Sequence, residues 1–153
     1  MSGQATHSDE PDTIGVLFCD DNEPMRALLR VVVELRPSLR VVGEAADGHE
    51  AIHEATRLQP DVILLDLAMP RRTGLDVLPE LRRIAPEARV IVFSGFSTAS
   101  VAEGAIDLGA VRFLTKGADP EAINDAIEEV FAETAAGVPV TNNRGPLRSG
   151  RSR

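Results

Sequence analysis

The sequence predicts an α/β fold, a doubly wound sheet of five parallel strands with five helices on its two faces. Apolar runs without polar alternation, as expected of strands covered on both sides, alternate five times with stretches whose apolar residues recur at helical spacing. Such alternation implies a parallel sheet with right-handed crossovers. The runs Ile14 to Cys19, Val62 to Leu65, Val90 to Phe93 and Val111 to Leu114 end, in turn, at Asp20 with Asp21, at Asp66, at Ser94, and at Thr115 with Lys116. Open α/β sheets bind ligands beyond the carboxyl ends of their strands. An acidic residue after one strand is most often a loop cap, but four strands ending alike point to a site.

Residues 1 to 12 are polar and aperiodic and read as a disordered lead, so the folded domain is taken as 13–134. Pro24 suits a first helical turn, and Met25, Leu28, Leu29, Val32 and Leu35 form the apolar stripe of helix one, stopped at Arg36-Pro37. Arg40 to Ala45 reads as a short strand. Asp47 and Glu50 have capping-box spacing and open a helix that runs to Leu58. Thr73 and Asp76 open the third helix, in which Pro79 predicts a kink or a late start because it removes a backbone donor. Thr98 to Leu108 is the fourth, weakened by Gly104 and stopped by Gly109. Asp119-Pro120 caps the fifth, whose stripe is Ile123, Ala126, Ile127, Val130 and Phe131. Residues 135–153 turn to Gly, Pro, Asn, Ser and Arg and read as a flexible basic tail.

A chain of 153 residues fits one domain. With 43% hydrophobic but only 3% aromatic residues, its core must be built from Val, Leu, Ile and Ala. The single cysteine, Cys19, excludes an internal disulfide and reads as buried packing. No stretch is long enough to span a membrane and no secretory signal opens the chain, so a cytoplasmic protein is expected. The net charge is −8, and since four arginines and no acids follow Glu133, the body carries −12. That balance disfavours sequence-independent nucleic-acid binding.

If the central strands are adjacent, three carboxylates, a hydroxyl and an ammonium share one small volume. Three carboxylates repel one another unless a cation joins them, and hard oxygen ligands suit Mg²⁺ together with phosphate oxygens. An ionised aspartate can accept a phosphoryl group covalently. Positioning and charge neutralisation then supply most of the catalysis. Asp66, Lys116 and Ser94 fit those roles.

From Ile14 to Thr134 these residues resemble the receiver domains of two-component response regulators. The resemblance implies a flavodoxin-like sheet of strand order 2-1-3-4-5. Asp20 and Asp21 stand where receivers hold their acidic metal pair. Asp66, inside D-L-A-M-P with Gly74 eight residues on, stands at the phosphoacceptor. Ser94, followed by Gly95, matches the switch hydroxyl, Phe113 the switch aromatic and Lys116 the family lysine. The implied Mg²⁺ ligands are Asp21, Asp66 and the backbone carbonyl of Ala68, with Asp20 acting through water. Ala68 and Phe96 fall at positions that tune acyl-phosphate hydrolysis, and Gly117 replaces a proline common after the lysine.

Val41 to Gly48 and Pro60 to Pro70 look most like receivers normally followed by a helix-turn-helix output domain. Here a stand-alone receiver without a DNA-binding domain is expected. His7, His49 and His53 lie away from the site, so the phosphate donor is expected to be a histidine kinase or phosphotransfer protein. The output partner would bind the face of helix four, strand five and helix five, with the chain a monomer or weak dimer that catalyses only its own phosphorylation and dephosphorylation. Two other readings use the same residues: a Mg²⁺-dependent small-molecule phosphohydrolase, and a receiver-like scaffold independent of phosphorylation. The first usually needs an acid two residues after the nucleophile, where Ala68 stands. The complete acid, hydroxyl and lysine set argues against the second.

Overall fold

A computed structural model describes residues 13–95 and 99–135. The strands are β1 (Ile14–Cys19), β2 (Leu39–Ala45), β3 (Val62–Leu65), β4 (Arg89–Ser94) and β5 (Arg112–Thr115). Between and after them run α1 (Glu23–Glu34), α2 (Gly48–Leu58), α3 (Gly74–Ile84), α4 (Ala99–Asp107) and α5 (Pro120–Ala135). The strands form one parallel sheet in the order β2-β1-β3-β4-β5. This is the flavodoxin-like order that the resemblance implies.

Alternation along the strands divides the core in two. Leu17, Cys19, Ile63, Leu65, Val90 and Val92 face α2, α3 and α4, where they meet Ala51, Ala55, Val77, Leu78, Leu81 and Ala105. Val16, Phe18, Val62, Leu64, Ile91 and Phe93 face α1 and α5, meeting Leu29, Val33, Ile123, Ala126, Ile127 and Val130. All four residues of β3 are buried, which is why this strand shows no polar alternation in the sequence. Cys19 is likewise buried, and burial pushes its thiol far above the ordinary range, so it is inert packing.

The helix starts follow from local hydrogen bonds. Asn22 caps α1 by accepting the Met25 N–H at 2.8 Å. At α2, Asp47 accepts the Glu50 N–H at 2.9 Å, but the Glu50 carboxylate bonds the N–H of Ala46 and not that of the cap residue. The capping box expected there is therefore displaced by one residue. A reciprocal box does form at α3, between Thr73 and Asp76. That start holds the helix in register from Gly74, and α3 runs through Pro79 without the late start that proline suggests.

Helix one also departs from expectation. Its buried residues are Leu29, Val32 and Val33, while Leu28, Val31 and Leu35 stand exposed. The inward stripe is rotated because α1 packs on both β1 and α5, with Asn124 of α5 donating to the Val32 carbonyl at 2.9 Å. Gly109 ends the turn after α4 at φ +121°, a conformation that L side chains rarely adopt. No helix among the described residues is long and apolar enough to cross a membrane. The lead of residues 1–12 and the tail beyond Ala135 lie outside the described residues, as do Phe96 and Thr98.

Candidate functional site

Hydrogen bonding of the sheet continues one residue past the strands and sets the site. The Asp20 N–H donates to the Ala45 carbonyl at 2.9 Å, Asp66 N–H to Cys19 at 2.8 Å and Lys116 N–H to Ser94 at 2.8 Å. Asp20 and Asp66 are thereby held side by side at the ends of the two central strands, with Lys116 entering from β5. Both carboxylates are buried, as is Ser94, while Asp21 is exposed. One carboxylate oxygen from each of Asp20, Asp21 and Asp66 lies within 4.8 Å of the others.

Lys116 Nζ sits 2.7 Å from Asp20 Oδ2 and 3.4 Å from Asp66 Oδ2, an ion-paired bridge between the two buried acids. Burial alone would lower the lysine, but the two carboxylates outweigh it and hold the ammonium above the ordinary lysine value. Asp66 is pushed above the ordinary carboxylate range, first by burial; the Ala68 N–H, 3.2 Å from Oδ1, opposes this, Asp20 adds to it, and Lys116 also opposes. Asp66 is therefore a carboxylate whose charge is not fully compensated. Asp20 Oδ2 is buried, and its neighbour is the Lys116 ammonium at 2.7 Å.

Those observations fit a hard divalent cation. An all-oxygen donor set of three carboxylates, two of them buried, matches Mg²⁺ chemistry and offers nothing to a soft metal. Of the expected residues, Asp20, Asp21, Asp66 and Lys116 come together. Ser94 ends β4 directly beside Thr115 of β5, and Phe113, paired with Val92, is half-buried against the core under α2, α3 and α4. Ala68 is exposed and directs its N–H to Asp66. His49 and His53 lie on α2 and are not part of the acidic cluster.

The sequence reading overlooked a second layer behind the acids. Arg26 Nη1 donates to the Asp20 main-chain carbonyl at 2.6 Å, and its Nε bonds Glu44 Oε1 at 2.9 Å. Arg30 reaches the other oxygen of Glu44. The Asn22 N–H donates to Asp20 Oδ1 at 2.9 Å. An arginine in a first helical turn, where the helix dipole disfavours a cation, is the one sequence signal that could have found it.

An aspartate cluster with a bridging lysine at the carboxyl edge of a five-stranded parallel sheet defines a class, and comparison bears it out. The family model for the response regulator receiver domain matches residues 16–128, and the chain belongs to that family. It is 44% identical over 124 residues to the nitrate/nitrite response regulator protein NarP of Escherichia coli K12, covering 77% of this chain and 58% of that one. It is 33% identical over 115 residues to the chemotaxis protein CheY of Thermotoga maritima, covering 75% of this chain and 95% of that one. Among solved structures, the signal receiver domain of the putative response regulator NarL from Mycobacterium tuberculosis superposes with a TM-score of 0.76 at 30% identity, covering 80% of this chain and 98% of that one. The chain thus matches little more than half the length of NarP and nearly the whole of CheY.

Proposed function

We propose that this receiver accepts a phosphoryl group on Asp66, with Mg²⁺ bound, from a histidine kinase or phosphotransfer protein, and signals through protein contacts. The observation that carries the proposal is Asp66 itself: buried, incompletely compensated, and within one metal's reach of Asp20 and Asp21. Asp21, Asp66 and the Ala68 carbonyl would hold the metal, with Asp20 behind them. Once bound, Mg²⁺ supplies neutralisation of phosphoryl charge. In the transfer, an Asp66 oxygen forms the new O–P bond as the N–P bond to the donor imidazole breaks, and the imidazole leaves with the electron pair and takes a proton. Lys116, already 3.4 Å from Asp66, stabilises a phosphoryl oxygen, and burial of Asp66 limits competing water.

The phosphoryl group adds roughly −1.5 to −2 charge and three acceptor oxygens. It draws the Ser94 hydroxyl toward it as a donor, and Phe113 turns into the vacated space. That movement reshapes the face of α4, β5 and α5 for an output partner by population shift. Ala68, two residues beyond Asp66, gives a phosphohydrolase no second acid.

Incubation with acetyl phosphate and Mg²⁺, followed by intact-mass measurement, tests the transfer; no gain of one phosphoryl mass would refute it. Lys116→Ala should sharply reduce that gain, because no other cation reaches Asp66 among the described residues. For the readout, beryllofluoride with Mg²⁺ should shift amide resonances between Gly95 and Asp119. Ser94→Ala should weaken those distant shifts without preventing phosphorylation, and shifts confined to residues around Asp66 would sink the switch.

A further inference from the structure

We infer that Arg26 is a positioning residue for the acidic cluster: clamped by Glu44, it fixes the peptide between Asp20 and Asp21 and so aims the Asp21 carboxylate at the metal. The inference rests on reading the cluster as a Mg²⁺ site. Asp21 is exposed, and among the described residues its side chain makes no hydrogen bond or ion pair. Its direction is therefore inherited from the main chain.

That main chain is pinned at both polar backbone atoms of Asp20 and, through its side chain, at Oδ1. The N–H is bonded to Ala45, and Oδ1 takes the N–H of Asn22. The carbonyl takes Arg26 Nη1 at 2.6 Å. A peptide unit is planar, so fixing the Asp20 carbonyl fixes the Asp21 N–H and the direction in which Asp21 leaves the strand.

Arg26 can serve as such a pin because it is itself held. Its side chain is only 15% exposed, its Nε bonds Glu44, and Arg30 one turn later grips the second Glu44 oxygen. Glu44 lies on β2, next to Ala45, whose carbonyl receives the Asp20 N–H. One short piece of edge strand thus anchors both sides of the acidic residue. The guanidinium fork suits this double duty, which a point-charge ammonium does not reproduce.

Electrostatics and geometry make opposite demands here. A guanidinium near three carboxylates repels an incoming cation, so if charge alone mattered, removing it would tighten Mg²⁺ binding. If positioning dominates, removing it loosens binding. Groups that orient metal ligands typically change affinity by 10–100-fold, which exceeds the effect expected of a partly screened charge.

The test is Mg²⁺ titration by calorimetry without any phosphoryl donor, on the wild-type chain, Arg26→Met, Arg26→Lys and Glu44→Gln. Amide spectra of the metal-free proteins are recorded alongside. Arg26→Met should raise the Mg²⁺ Kd about tenfold, the low end for such groups. Arg26→Lys should restore only part of the loss, and Glu44→Gln should cause a smaller one. Metal-free amide shifts should centre on Asp21 and Asn22. An unchanged or lower Kd in a folded Arg26→Met protein would overturn the inference while leaving the metal site standing. If that variant does not fold, an unchanged Kd in Glu44→Gln overturns it equally. A wild-type chain that binds no Mg²⁺ would overturn the metal reading, and this inference with it.

Discussion

Asp66→Asn is expected to abolish the phosphoryl mass gain completely and, in metal-free buffer, to raise the melting temperature. The first effect follows because the amide lacks the nucleophilic oxygen anion, and Asp20, the other buried acid bridged to Lys116, already has Oδ1 taken by the Asn22 N–H and Oδ2 2.7 Å from the ammonium. The second follows from the raised Asp66 pKa, which means that ionisation is harder in the folded chain than in the unfolded one. Asp66 therefore favours folding fully below its unfolded pKa, and that contribution is lost as pH rises through the higher folded value. The stabilisation by Asn should accordingly be small in strong acid and reach its full size above the folded pKa. An amide oxygen still accepts the Ala68 N–H, so the loop is preserved. Saturating Mg²⁺ should reverse the order, stabilising the wild-type chain by mass action and the variant less. Thermal unfolding of both proteins across pH, with EDTA and with Mg²⁺, checks all three signs. Phosphate still found on the variant would refute the assignment of Asp66.

The sheet and the acid cluster were legible because each rests on a strong local signal. Burial on both faces writes β3 as four unbroken apolar residues, and parallel pairing makes each such run end on the same edge as its neighbours. Adjacency of the runs did not follow from periodicity; the strand order came from the family resemblance. What the sequence concealed depends on packing between elements. The stripe of α1 read as Met25, Leu28, Leu29, Val32 and Leu35; Leu29 and Val32 are buried, but contact with α5 through Asn124 turns Leu28 and Leu35 outward and brings in Val33. Arg26 went unnoticed because its partners, Glu44 and the Asp20 carbonyl, sit on other elements. Pro79 suggested a late start for α3, but the Thr73 and Asp76 box fixes where the helix begins.

Gly74→Ala is expected to destabilise the fold by about 2 kcal/mol or more, at the upper part of the range for overpacking a tight site, and to weaken phosphorylation with it. Gly74 stands where α3 returns against the loop that follows Asp66, its N–H donating to the Leu67 carbonyl at 3.0 Å. A Cβ there would come within 2.5 Å of the Asp66 carbonyl oxygen and 2.8 Å of Leu67 Cα. Both are backbone atoms, so no side chain can swing aside to make room. The strain would move the Asp66 peptide itself, which couples stability to the phosphoacceptor. Gly104→Ala is the matched control, because a Cβ at Gly104 meets nothing within 4 Å and the residue lies inside α4. Helix propensity then predicts stabilisation by up to about 1 kcal/mol. Denaturant midpoints of the two variants should move in opposite directions from the wild-type value. A Gly74→Ala protein with unchanged midpoint and full phosphorylation would show that the α3 entry yields freely and does not position Asp66.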